Sequence, residues 1–521
     1  MARSAGLISL ATLASRLLGV ARESVLASYF GAGLAMDAYN VAFRVPNLLR
    51  DLFAEGAMTA AFVPAFTRTL SARGREHAWR LGNLVINALL LITGGLALLG
   101  IVFAAPITSL IASEFAAVPG KLELTTQLTR VMLPFLTTVA VAVAMMGMLN
   151  SLHRFFIPSL SPAMFNVATI LCAVLLVPLM ENIGWPRIMA IAIGTLVGGV
   201  GQMLIQWPVL RREGFRYRPI LDFRDPELRQ ILRMMVPGTL GVAAVNINVL
   251  VNTYLAASQE GAVSWLGYAF RLMYLPIGIF GVSIATAALP DLSRHAAADD
   301  LASMRRAVGS ALRLMLMLNV PAMVGLMVLS QPIVALLYQR GRFTAADTAA
   351  TAAALMFYAP GLLGYSAVKI ASPTFYSLGN SRTPVIISVS SVAVNLVLNI
   401  ALVRVMGFKG LALGTALAAL FNATALLVLL RARLGGIEGG RLAVSLLKIS
   451  VAAAVMGLVA AQATGALERL LPGDGEVMRG IRVAAAIAAA LVALAAAARL
   501  LRIQEFTDAS ARVLRRLRPA R

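Results

Sequence analysis

The chain runs almost end to end as apolar stretches of twenty residues or more, and that pattern leaves few ways to fold. Each stretch is long enough to cross about 30 Å of hydrocarbon as a helix. Inside a bilayer every backbone polar group must find its partner within the protein, so only helices or closed barrels span it. A barrel would need strands of about ten residues alternating apolar and polar, and no such alternation is present. Hydrophobic residues fill 59% of the 521 positions and charged residues 13%, against roughly a quarter charged in soluble domains. The expected fold is an all-α polytopic membrane protein.

Fourteen spans are predicted, at about 5–30, 37–68, 81–112, 125–151, 159–181, 185–207, 230–258, 263–294, 303–329, 346–378, 383–405, 408–431, 441–468 and 478–502. Breaks fall at Gly, Pro and charge clusters such as GAGLAM, RREGFRYRP and LGGIEGG. Spans 2, 8 and 10 are long and contain Pro46, Pro64, Pro276, Pro290, Pro360 and Pro373, which predicts kinked, tilted helices lining a cavity. The N-terminus begins as a signal peptide would, with Arg3 ahead of an apolar run. Arg16 and Arg22 then interrupt that run, so an uncleaved first helix is expected.

Basic residues concentrate in the even-numbered loops and at the two termini, including Arg211, Arg212, Arg216, Arg218 and the tail RVLRRLRPAR. The positive-inside rule therefore places both termini in the cytoplasm. The net charge of +22 reads as membrane orientation and attraction to anionic lipid. Nucleic acid is not an expected partner, because no basic soluble domain is present. Cys172 stands alone in an apolar segment, and His77, His153 and His295 fall at helix ends or in loops. Neither a disulfide framework nor a metal site is expected. The sequence holds no Walker A loop, HExxH or GxSxG, so an ATP-driven pump, a hydrolase or another enzyme is not expected, and no cofactor is required.

An internal repeat appears at an offset of about 226 residues. Ala42-Phe43-Arg44 recurs as Ala269-Phe270-Arg271; Pro64, Thr67 and Arg68 recur as Pro290, Ser293 and Arg294. Pro134, Ser151-Leu152 and Pro158 recur as Pro360, Ser377-Leu378 and Pro384. Six spans separate the copies, so the two halves share an orientation and form a parallel repeat. Two pseudo-symmetric six-helix lobes around a central cavity are expected, with spans 13 and 14 as an addition. That architecture suits alternating access.

Charge inside the first two spans marks the chemistry. Arg16, Arg22 and Glu23 lie on span 1, and Arg44, Arg50, Asp51 and Glu55 on span 2, with Asp37 at its outer end. An ionised group at bilayer depth costs several kcal/mol unless it faces protein or a watery cavity. Arg16 and Arg22 stand about 120° apart around the helix, a placement that can flank one bulky anion. Arg44, Asp51 and Glu55 at i, i+7 and i+11 form one stripe. Arginine suits phosphate because its planar fork donates two parallel hydrogen bonds and stays charged. The competing reading is that Arg16–Glu23 and Arg50–Asp51/Glu55 pair only with one another to hold the bundle. For Asp37 a gate latch and a helix N-cap are both open. Gly194-x3-Gly198 and Gly410-x3-Gly414 suit close helix packing.

The stretches SRLLGVARE, FGAGLAMDAYNVAFRVPNLLRDLFAEGAMTAAFVPAF and SWLGYAFRLMYLPIGIFGVSIATAALP resemble the MurJ/MviN family, the lipid II flippases of the MOP transporter superfamily. The likeness is collinear over essentially the whole chain. It implies an N-lobe at 1–220, a C-lobe at 221–435, helices 13–14 at 436–502 as a groove for a polyprenyl tail, and a basic cytoplasmic tail at 503–521. The family's central-cavity arginines fall on Arg16, Arg22, Arg50 and Arg271, its acid before helix 2 on Asp37, and its basic residue on helix 10 on Lys369. Some relatives carry an acid just before the helix 8 arginine, where this chain has Phe270. Members with a sodium site use carboxylates on helices 7 and 11, whereas this chain has Asn246, Asn248, Asn252, Asn395 and Asn399.

The resemblance implies a flippase of the bacterial cytoplasmic (inner) membrane, moving lipid II, an undecaprenyl diphosphate-linked disaccharide peptide. Membrane lipids and cell-wall synthesis proteins are the other partners to expect, and a monomer is the expected state. Membrane potential is the expected drive, with the coupling ion left open. The alternatives are a multidrug-type cation-coupled exporter, a flippase for another polyprenyl-diphosphate-linked glycan, and a non-transport scaffold for cell-wall synthesis.

Overall fold

The computed structural model describes residues 2–52, 56–473 and 475–507, excepting the side chains of 2–13, 56–57, 59–60, 236–245 and 247. Every regular element among the described residues is helical. In chain order they are α1 (Ala2–Phe30), α2 (Leu34–Arg50), α3 (Gly56–Val102), α4 (Ala104–Ile111), α5 (Lys121–Met132), α6 (Phe135–Ser151) and α7 (Phe156–Asn182). There follow α8 (Met189–Arg212), α9 (Pro226–Ala257), α10 (Ala262–Pro276), α11 (Val282–Ala297), α12 (Leu301–Val328) and α13 (Ser330–Tyr338). The last are α14 (Ala345–Tyr358), α15 (Gly361–Ser377), α16 (Arg382–Met406), α17 (Phe408–Leu434), α18 (Gly439–Leu470) and α19 (Glu476–Leu500). Ten of the described helical segments are long and apolar enough to cross a membrane, and the pair α14–α15, bent by 43°, makes an eleventh.

The long spans break where proline or glycine dictates. A ring without an N–H removes one bond of the helix ladder; α5 gives way to α6 at Pro134 as α14 gives way to α15 at Pro360, while Pro46, Pro64, Pro290 and Pro373 lie inside helices that run on. Span 8 passes from α10 through a π segment, Ile277–Gly281, directly after Pro276. Gly74, at φ +82°, interrupts α3 and ends span 2 there. The turn at Asp51 and Leu52 is also π-wound, so the regular winding behind the expected Arg44–Asp51–Glu55 stripe does not carry through. Glu55 itself and the tail 508–521 lie outside the described residues.

Two compact units divide the chain: Met1–Ser264 with Arg340–Thr344, and Trp265–Gln339 with Ala345–Arg521. This partition follows contacts rather than the repeat, because α9 packs along α3 within the first unit. The first unit is cored by Phe62, Phe66, Leu81, Phe135, Met148 and Phe215 among others. In the second, α11, α12, α15 and α17 share a core that includes Leu312, Phe375 and Leu426, and Met317, Met456 and Ala486 join α12, α18 and α19.

The repeat reappears in bonding detail. Thr67 donates to Ser151 at 3.1 Å, and the repeat-related Ser293 and Ser377 are bonded at 3.3 Å. Both GxxxG motifs face the helix before them. A Cβ at Gly198 would meet the Phe165 Cα of α7 at 3.0 Å, and one at Gly410 would press into the Leu402 backbone of α16. Cys172 is buried in the same α7–α8 seam, against Gly194.

Candidate functional site

In the first unit the charges expected at the site lie on α1 and α2, where two of the arginines bond the carboxylate next to them in sequence. Arg22 donates to Glu23 through Nε at 3.2 Å and also through Nη2. Glu23 is 3% exposed. The Arg22 guanidinium lies 5.0 Å from the Phe165 ring centroid, a cation–π contact that adds to its restraint. Arg16 is half-buried on the same helix. Arg50 donates to Asp51 through Nη2 at 3.0 Å and Nε at 3.3 Å, with about a quarter of each side chain exposed. In each pair Nε and Nη2 converge on one oxygen of a carboxylate one residue away. Arg44 is half-buried and follows Phe43, whose ring packs with Tyr39, Phe135 and Phe165 at 5.9–6.0 Å.

Asp37 has a different role. It is fully buried in the first turn of α2, yet it does not cap its own helix, whose N-cap is Gly33. Its carboxylate accepts from Lys121 Nζ at 3.0 Å, the Gly261 amide at 2.8 Å, and the Ser264 amide and hydroxyl at 3.1 and 2.7 Å. Four donors satisfy a group that would otherwise be expensive to bury. Lys121, the first residue of α5, also lies 4.0 Å from the Phe115 ring. Asp37 thereby ties α2 to α5 and to the opening of α10, and Asn40 adds a bond to Ser264 at 3.2 Å. Lys121 and Ser264 had no signal in local pattern. The one available hint was that Lys121 and Asp347 are separated by the repeat offset.

In the second unit Arg271 is half-buried on α10 and Lys369 is exposed on α15. Phe270 packs against Tyr358 at 5.5 Å, Tyr274 at 6.0 Å and Tyr365 at 6.2 Å. Each repeat-related arginine, Arg44 and Arg271, therefore follows a phenylalanine fixed in an aromatic cluster. Trp265 donates to Asp347 at 2.9 Å, a tie between α10 and α14. Asn399 donates to Asn395 at 3.0 Å, and Asn395 reaches Thr415 at 3.5 Å. These neutral amides bond among themselves, and no cation step is derived from them.

A repeated, multi-pass helical chain that carries ion-paired arginines on its first two helices has the build of a membrane transporter. As a fold it is similar to the inward-facing structure of a multidrug-resistance MATE family transporter of the MOP superfamily, with TM-score 0.68 and 17% identity over 82% of this chain and 96% of that one. Residues 26–473 match the family described as lipid II flippase MurJ, and the chain belongs to that family. It is 35% identical over 499 residues to the "Probable lipid II flippase MurJ" of Bdellovibrio bacteriovorus, covering 95% of this chain and 93% of the relative. A solved structure titled as lipid II flippase MurJ in an inward closed conformation superposes with TM-score 0.76 at 26% identity, over 95% of this chain and 99% of that one.

Proposed function

We propose that this chain moves lipid II from the inner to the outer leaflet of the cytoplasmic membrane by alternating access, making and breaking no covalent bond. The observation that carries this reading is the pairing of arginines on α1 and α2 with carboxylates, Arg22 with Glu23 and Arg50 with Asp51, in a chain of the flippase family. The lipid's diphosphate exchanges with these carboxylates for the guanidinium forks, and Arg16, Arg44, Arg271 and Lys369 supply further positive charge. Arginine recognises such a group bidentately, which a point charge cannot do. The Asp37–Lys121–Ser264 tie acts as a latch that must open during the cycle. Both termini face the cytoplasm, and membrane potential drives the cycle, since one charge crossing the field is worth about 2.3 kcal/mol per 100 mV.

A cation-coupled drug exporter shares the fold, but the carboxylates at this site, Glu23, Asp37 and Asp51, are each paired to a base. Arg22→Ala and Arg271→Ala should each lower the movement of fluorescent lipid II in proteoliposomes at least tenfold while the protein remains inserted and folded. Undiminished transport in both variants would overturn the arginine site, and loss of cell-wall synthesis without any transport in the wild type would favour a scaffold.

A further inference from the structure

A cavity of about 820 Å³ opens in the second unit where α12 begins, α17 ends and a glycine-rich turn leads into α18. That volume lies within the range of small-molecule sites, roughly 300–1,000 Å³. Four arginines line it, Arg305, Arg306, Arg431 and Arg441, with Glu438 as its one carboxylate. None of them belongs to the site described above.

The positive charge of this cavity is not balanced from within. Glu438 is already taken, accepting from Arg313 at 2.6 Å and from Arg441 at 3.0 Å. Arg313 in turn reaches Glu505 at 3.0 Å. Asp300 is occupied as the cap of α12, accepting from the Ser303 amide at 2.9 Å. Arg305 gives one Nη2 bond to the Leu434 carbonyl at 2.8 Å, while its Nε is buried without a partner. Beside that bond, the Arg305 side chain lines the cavity together with Arg306, Arg431 and Arg441.

The wall is fixed before any ligand arrives. Gly436, at φ +137°, lays its backbone over the Arg305 guanidinium, with a Cβ there meeting Nε at 3.6 Å. Glu438, at φ +52°, is held in its turn by the two arginines.

The first half of the repeat shows what closes such a place when no ligand is called for. Trp79 stands 226 residues before Arg305. Its ring packs on Phe66 at 5.8 Å and on Phe215, in the loop after α8, at 5.4 Å. Where the first half puts an indole against the loop, the second puts a guanidinium beside open space.

We infer that this cavity binds a phosphate-bearing anion. It lies at the ends of two spans, the depth at which lipid headgroups reside, so an acidic phospholipid is one source and a soluble phosphate ester the other. The oxygens would meet the guanidinium groups of Arg305, Arg306 and Arg431 that line the cavity.

The test uses the full chain, delipidated in detergent and examined by native mass spectrometry with phosphatidylglycerol, phosphatidylcholine and glycerol 3-phosphate as probes. One phosphatidylglycerol should bind at least tenfold more tightly than phosphatidylcholine. The double variant Arg305→Gln with Arg431→Gln should lose at least tenfold of that affinity, and Arg433→Gln, which lies outside the cavity, should lose none. Binding of glycerol 3-phosphate with the same arginine dependence, and no preference for the lipid, would assign the site to a soluble phosphate ester. Undiminished phosphatidylglycerol binding in the double variant would overturn the inference. Should that variant fail to fold, Ala302→Trp fills the cavity while keeping every charge, and retained binding there would overturn it equally.

Discussion

Trp79, Asn83 and Asn87 on α3 and Arg305, Gly309 and Arg313 on α12 stand at the same places in the repeat, 226 residues apart, and each trio receives the loop that ends its half. At the first trio the loop is held by an aromatic contact and by amides, while Glu213 beside it pairs with Arg154 at 2.8 Å and Arg75 at 3.7 Å. Asn83 donates to the Arg216 carbonyl at 3.0 Å, and Asn87 to the Arg218 and Ile220 carbonyls at 2.9 Å. In the second half the loop is held by ions, and Gly309 leaves room for Glu438 to reach Arg313. At Trp79 the space is filled with rings. Ionic anchors keep the helices fixed around a space that stays open and charged. One scaffold can therefore be built twice and leave cavities of different size, about 820 Å³ beside Arg306 and about 120 Å³ beside the repeat-related Arg80.

The largest effect should come from Trp79→Ala, which removes a ring packed on Phe66 and Phe215 and should cost about 3 kcal/mol. Arg305→Ala, at the matching place, should cost no more than about 1 kcal/mol, the worth of its one bond to Leu434. Equilibrium unfolding in mixed detergent–SDS micelles measures both, and equal losses would erase the contrast.

Arg313→Ala should come next, at about 2 kcal/mol, because it takes the shared cation from two mostly buried carboxylates and leaves Glu438 with Arg441 and Glu505 with Ser445. Its pH dependence is a sharper test. The hydrogen bond from Arg313 holds the Glu438 carboxyl below its ordinary value of 4.5. A lowered folded-state value means that the ionised link stabilises fully above the unfolded value and is lost as pH falls through the folded one. The penalty of Arg313→Ala should therefore be constant from pH 7 down to about 5 and shrink below 4.5.

The smallest effect should be the most even. Thr67→Ala and Ser293→Ala each remove one hydroxyl bond at repeat-related places and should each cost about 0.5–1 kcal/mol. A clear difference between them would mean that the halves diverge in their frames as well as in their loops.

How far the sequence discloses all this depends on the range of the interaction. Helix content and the breaks at Pro276 and Pro360 are local properties of hydropathy and of the proline ring and read directly. By contrast, Pro46, Pro64, Pro290 and Pro373 lie inside helices that run on through them, and the break at Pro134 falls within the expected span 125–151. The pair Arg50–Asp51 was also within reach, because an arginine's long stem can bend to a neighbouring carboxylate, whereas Glu23, expected to pair with Arg16, bonds Arg22. Asp37 read as either a latch or a cap. Its partners Lys121 and Ser264 lie 84 and 227 residues away, and no periodicity carries such a pairing. The Arg313–Glu438 link spans 125 residues and is equally silent. Arg305 and Arg431 read as part of a general basic bias, because charge counts settle orientation without showing which charges meet.

Cys172 is the sole thiol in the 521 residues, and it is enclosed where α7 meets α8. Water-soluble maleimides should pass it by in the folded chain, so the natural sequence already supplies the silent background that labelling experiments usually have to engineer. A single cysteine introduced on α2 or α12 would then report alone, with no prior substitution anywhere in the protein.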